Sequence, residues 1–122
     1  WKLAMTAALD RGDVVIADRY LASSVAYGEA QGLDPDWLFE AQRHLPQPDL
    51  TVMIDIAPAT AVARKQAGRD RFEQDLPMLE RVRASYRRQA AAPGWAEVGG
   101  ERAVTEVAAE VATIVERALA RR

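Results

Sequence analysis

The residues best suited to chemistry stand together at Asp18-Arg19-Tyr20, directly after the apolar run Val14-Val15-Ile16-Ala17. A β-branched run without polar alternation reads as a parallel strand covered on both faces. In open parallel sheets, ligands bind beyond the carboxyl ends of the strands, and that is where this triplet falls. A carboxylate there can hold Mg2+ or its waters, and a guanidinium can grip a phosphate with two parallel hydrogen bonds. The same pair also reads as a helix-capping aspartate beside a surface arginine, and spacing alone does not choose between the two.

The flanking pattern supplies the scaffold. Helical spacing of apolar residues runs from about residue 2 to Asp10, and Gly12 ends it. Two helices are expected over Leu21–Ala30 and Pro35–Arg43, broken by Gly32-Leu33-Asp34-Pro35. Residues 50–56, Leu-Thr-Val-Met-Ile-Asp-Ile, read as a second buried strand, so the intervening helices fit a parallel crossover. Pro58 suits the first turn of a helix reaching about Gln66, with Gly68 beyond its end. Asp75 can cap the next helix, whose face is Leu76, Leu79, Val82 and Tyr86, and Pro93-Gly94 stops it. A short strand at Trp95–Val98 and a final helix with the stripe Val104, Val107, Ala108, Val111, Ile114, Val115 and Leu119 complete the pattern. Alternating helices and strands define an α/β chain.

Composition narrows the function classes. The 122 residues are about half apolar, enough to bury a core, and hold no run of about 18 apolar residues that would span a membrane. A net charge of −2 argues against a nucleic-acid partner. With no cysteine and a single histidine, His44, neither a disulfide framework nor a Cys- or His-cluster metal site is possible. No signal or transit peptide is visible, so the cytoplasm is the expected location. Trp1 stands in mid-pattern, which reads as a truncated chain.

Four stretches resemble thymidylate kinases in order and spacing. Asp18-Arg19-Tyr20-Leu21-Ala22-Ser23-Ser24-Val25-Ala26-Tyr27 is similar to that family's D-R-Y-x-x-S-S-x-A-Y segment. Leu9-Asp10-Arg11-Gly12-Asp13-Val14-Val15 resembles its helix-to-strand lead-in. Leu45-Pro46-Gln47-Pro48-Asp49-Leu50-Thr51-Val52 resembles its L-P-x-P-D-L-x stretch, and Asp70-Arg71-Phe72-Glu73 its D-R-[FYI]-E stretch beside a lid. The resemblance implies part of a P-loop-type parallel sheet flanked by helices, one domain over 1–122 with a lid at about 67–75. It implies phosphoryl transfer from ATP to dTMP, with Mg2+, in a protein that forms homodimers.

By the same resemblance, Asp18 and Arg19 organise Mg2+ and the phosphates, and Arg19 holds the acceptor monophosphate. Ser24 falls where the family contacts the base. Tyr27 falls where an aromatic ring fills the space beside C2′. Arg71 matches a lid arginine that Arg69 and Arg64 could assist, and Phe72 and Glu73 lie near the nucleoside. Phosphoryl transfer depends on positioning and on cations around the transferring group, so these residue types suit it.

Some positions depart from the family pattern. The phosphate loop G-x-x-x-x-G-K-[ST] is absent from these residues, as is the arginine that the family carries between that loop and Asp18. Val98-Gly99 stands where the family has Val-Asp, which leaves adenine contacts there open. The stretch is therefore expected to be inactive alone. Another nucleoside monophosphate kinase on this scaffold, or a non-catalytic binding module that lost the loop, are the rival readings.

Other features read as structural. Arg81, Arg83, Arg87 and Arg88 suit the solvated face of an amphipathic helix. His44 suits a helix end, and Trp37 and Trp95 suit packing. Asp55, an acid inside an apolar strand, is either a Walker-B-like acid or a residue that orients the helix at Pro58.

Overall fold

The computed structural model describes residues 1–64 and 75–122. Among these described residues, six helices and two strands follow in the order α1 (Lys2–Asp10), α2 (Leu21–Ala30), α3 (Pro35–Ala41), β1 (Thr51–Asp55), α4 (Pro58–Arg64), α5 (Leu76–Gln89), β2 (Trp95–Gly99) and α6 (Val104–Ala120). The α/β expectation is met.

Local chemistry sets the element ends. Gly12 has φ 85° and lets α1 close with Gly12 N–H on the Leu9 carbonyl and Asp13 N–H on that of Ala8. This double closure is a Schellman cap, which needs a left-handed residue at that position. The Asp34 and Asp75 carboxylates accept from the backbone N–H of Asp36 and Met78 and so cap α3 and α5. In α3 and α5 a proline occupies the first turn, where its missing N–H costs nothing. The third helix ends at Ala41 and not at Arg43, because the chain turns there through 3-residue hydrogen bonds.

The two strands pair in parallel, in the register Thr51↔Trp95 through Asp55↔Gly99. Gly94 N-terminal to β2, with φ 85°, offers its carbonyl to Thr51 N–H at 2.8 Å, and Gly100 N–H reaches the Asp55 carbonyl at 2.8 Å. A side chain at Gly100 would lie 2.4 Å from Ile56 Cγ2 and 2.8 Å from Ile54 Cγ2, so the close approach needs glycine.

The core lies where α2 packs on α5. Ala26, Ala30, Met78 and Val82 are buried together, with Tyr27 and Tyr86 against them. Met53 of β1 and Val98 of β2 are also buried, on opposite faces of the sheet. Leu76, expected on the α5 core face, is exposed, and Met78 is buried there in its place.

The expected strand at Val14–Ala17 joins no ladder among the described residues. Its side chains lie open, with Ile16 88% exposed, and it pairs with neither strand of the described sheet. Likewise, α6 carries its predicted stripe but buries none of it. Trp37, expected to pack, is also exposed. The expected lid arginines Arg69 and Arg71, with Phe72 and Glu73, lie outside the described residues.

Candidate active site

Asp18, Arg19 and Tyr20 form the corner between the extended run and α2. Arg19 has φ 58°, the left-handed region that a side chain other than glycine rarely adopts. Such backbone strain persists only where surrounding contacts hold it, and here those contacts are visible. The Tyr20 hydroxyl donates to the Pro46 carbonyl at 3.0 Å, and its ring meets Trp1 edge-on at 5.9 Å. Tyr20 thereby ties the corner to the Leu45–Leu50 stretch ahead of β1, and burial raises its phenol above its ordinary value.

The turn folds the Arg19 side chain back along α2. Its Nε donates to Ser23 Oγ at 3.1 Å, and its guanidinium carbon lies 4.6 Å from the centre of the Tyr27 ring. Ser23 and Tyr27 stand one helical turn apart, so one face of α2 serves both contacts. A cation over a ring is held by the ring quadrupole, and a guanidinium can bind an anion through its planar fork.

The structure brings Asp18, Arg19 and Tyr27 into one corner. Ser24, the residue expected to meet a base, is exposed, whereas its neighbour Ser23 is buried and turned to Arg19. The signal for Ser23 is its spacing, four residues after Arg19 on the helix face that holds Tyr27. A second unanticipated residue is Tyr86 of α5, which packs against the same core cluster as Tyr27, and burial drives its phenol upward.

Arg64 closes α4, and its Nη1 donates to the Gly100 carbonyl at 2.8 Å, at the corner between β2 and α6. Asp55 ends β1, and α5 supplies its partners. Arg83 grips it bidentately at 2.8 and 3.0 Å, and Arg87 adds a contact at 2.8 Å. The Arg83 hydrogen bonds hold the Asp55 carboxyl below the usual carboxylate range, against an opposing push from burial, and Arg87 adds to the lowering. The α4 entrance is satisfied instead by Glu101, which accepts from Ala57 N–H and from the Thr60 hydroxyl.

The α5 arginines therefore do not form a free solvated face. Arg88 pairs with Glu29, and Arg81 donates to the Ala30 carbonyl. His44 lies just past α3 and accepts from Arg43 Nε, as a helix-end residue.

Among the described residues, no group of three or more His, Asp or Glu side chains converges as a metal cage. Mg2+ that bridges nucleotide phosphates needs only one or two carboxylates from the protein, and the exposed Asp18 beside Arg19 fits that donor set.

Comparison with known proteins gives the family. The family model for thymidylate kinase matches residues 2–111. The chain belongs to the thymidylate kinase family. A probable thymidylate kinase of Pyrobaculum calidifontis is 39% identical over 114 residues, covering 92% of this chain and 58% of that protein. A probable thymidylate kinase of Sulfolobus acidocaldarius is 33% identical, covering 84% of this chain and 55% of its own length. The thymidylate kinase of Dictyostelium discoideum is 29% identical, covering 87% and 47%. The chain thus spans about half the length of the curated relatives it matches. Family membership makes it part of a nucleotide kinase fold, and it places the Asp18-Arg19-Tyr20 corner within the matched region. No helix among the described residues is long and apolar enough to cross a membrane.

Proposed function

We propose that the protein carrying this chain transfers the γ-phosphoryl group of ATP to dTMP, giving dTDP. The observation that supports this reading best is the Arg19 guanidinium, seated between Ser23 and the Tyr27 ring beside the exposed Asp18. Arg19 grips the acceptor phosphate with its planar fork, and Tyr27 flanks the sugar on the 2′ side. Ser24, exposed on the next helical position, is assigned to the base. Asp18 holds Mg2+ or its waters, and Mg2+ supplies charge neutralisation on the phosphates when bound. Family likeness further assigns Arg69 and Arg71 to a lid over the phosphates, with Arg64 in support, and Phe72 and Glu73 to the nucleoside. Because these 122 residues hold no phosphate loop, they are proposed to be inactive without one. A cytoplasmic homodimer is part of the same reading, and sedimentation of the purified protein checks the dimer.

The test is acceptor kinetics on the full-length protein, with ATP and Mg2+ against dTMP and the other nucleoside monophosphates. A preference for dTMP supports the reading, and a preference for another base overturns it. Formation of dTDP by the 122-residue stretch alone would refute the requirement for a phosphate loop.

A further inference from the structure

Two of the stretches singled out in the sequence meet at a single hydrogen bond. The stretch Leu45–Val52 takes no part in the chemistry assigned above, yet its Pro46 carbonyl accepts from the Tyr20 hydroxyl at 3.0 Å, across 26 residues of chain. Tyr20, Leu45 and Pro46 are all half-buried. The Tyr20 ring also meets the Trp1 ring edge-on at 5.9 Å. One side chain therefore ties the Asp18-Arg19 corner both to the residue ahead of α1 and to the stretch ahead of β1.

Tyr20 is also the N-cap residue of α2, with φ −133° and ψ −129°, and its carbonyl accepts from Ser24 N–H at 3.3 Å. The residue before it, Arg19, has φ 58°. A residue other than glycine in that region is strained, so the turn needs restraint from its neighbours. On the C-terminal side of Arg19 that restraint is Tyr20, pinned by its carbonyl to α2 and by its hydroxyl to Pro46. The Ser23 and Tyr27 contacts of Arg19 act on its side chain, whereas the Tyr20 hydrogen bond acts on where the Asp18-Arg19 backbone lies. A loosened turn would carry the carboxylate and the guanidinium through more orientations, freedom that must be lost again on binding.

We infer that Tyr20 is a positioning residue whose hydroxyl, held by the Pro46 carbonyl, keeps the Asp18-Arg19 backbone in the turn from which Arg19 receives the acceptor phosphate. The inference rests on the reading of Arg19 as the phosphate-holding residue. It gives the Leu45–Val52 stretch a function as the brace of that site, although none of its residues touches the phosphate. The brace thus helps set how tightly a monophosphate is held.

The experiment compares Tyr20→Phe and Ser85→Ala with the parent in the full-length protein. Tyr20→Phe keeps the ring against Trp1 and removes only the hydroxyl. We expect it to raise the KM for dTMP about three- to tenfold, the range set by one neutral hydrogen bond, with kcat at saturating dTMP changed less than about twofold. A crystal structure of the variant should show the Arg19 φ shifted to negative values. Ser85→Ala is the matched control, since it deletes a buried hydroxyl that donates to Glu29 at the other end of α2. It should lower the urea midpoint at least as much as Tyr20→Phe and leave the KM for dTMP within about twofold of the parent. An unchanged KM in Tyr20→Phe overturns the inference, and so does an Arg19 φ that stays near 58°. An equal rise in KM for Ser85→Ala also overturns it, because the effect would then be a general loosening of the fold. Should Arg19→Lys leave dTMP kinetics intact, the phosphate role of Arg19 falls, while the Arg19 φ in Tyr20→Phe still decides whether Tyr20 holds the turn.

Discussion

The seam between α2 and α5 and the face formed by α6 with Ile16 and Ile54 are both built from apolar residues, yet they are held differently. In the seam, Ala26, Ala30, Met78 and Val82 are buried and crossed by polar rungs from Ser85, Arg88 and Gln89. On the other face, Val104, Val107, Val111 and Val115 line an open apolar groove of about 700 Å3 with Ile16 and Ile54, and Val104 is 83% exposed. The candidate site sits on the seam. The residues that must hold a guanidinium in one direction belong to the part whose packing is complete, as positional accuracy requires.

The largest effect expected from this contrast is on Arg19. An ammonium cannot reproduce the planar fork, so Arg19→Lys in the full-length protein should lose about a hundredfold or more in kcat/KM for dTMP. Steady-state kinetics check it. Near-normal activity would make the seam a purely structural feature.

Asp55 comes next. Its carboxylate is held by Arg83 and Arg87, with 19% of its side chain exposed, between the surface and buried extremes. Asp55→Asn should destabilise the fold by about 2 kcal/mol, above the range of an exposed pair and below that of a fully buried one. The folded carboxyl titrates below its unfolded value of about 3.9, so the ion pairs stabilise the fold above that pH. That contribution is lost as pH falls through the lower folded value. Urea unfolding at pH 7 and at pH 3 should therefore show a smaller difference for Asp55→Asn than for the parent. Equal differences would place the pairs outside the stability of the fold.

Tyr27 gives a smaller, more specific effect. If its ring occupies the space beside C2′, Tyr27→Ala should narrow the dTMP preference over the ribose analogue about tenfold. The ratio of the two kcat/KM values decides it, and an unchanged ratio leaves the ring to packing and to Arg19.

Much of this was legible in the sequence, and the failures share a cause. The cap at Asp75, the glycine stop at Gly12 and the β1 strand are local, and local chemistry determines them. The Asp18-Arg19 corner was legible because its motif is long and compact. Which serine turns inward was not, because the answer depends on the left-handed Arg19 backbone that folds its side chain onto Ser23. The α5 arginines looked like a solvated face because helical periodicity does not reveal an acid at a strand end 28 residues earlier. Val14–Ala17 has a strand composition, but a ladder needs a neighbouring edge, and composition does not supply one.

The smallest effect sharpens the comparison most directly, since one deletion can be made on both sides of it. Val82→Ala and Val104→Ala each remove the same two methyl groups from a helix. Val82 is 5% exposed within the seam, so its truncation loses transfer free energy and leaves a cavity, about 2 kcal/mol together. Val104 has almost nothing to lose, because most of its surface already meets solvent. Val104 is also the first residue of α6, with no preceding turn to crowd its side chain, so helix propensity adds little. The expected outcome for Val104→Ala is a change within about 0.5 kcal/mol of zero, well below the loss at Val82. Chemical denaturation of the two variants under one condition measures both. A loss of 1 kcal/mol or more at Val104 would mean that the α6 face is covered in solution, and the two regions would then differ in what they pack against and not in whether they pack.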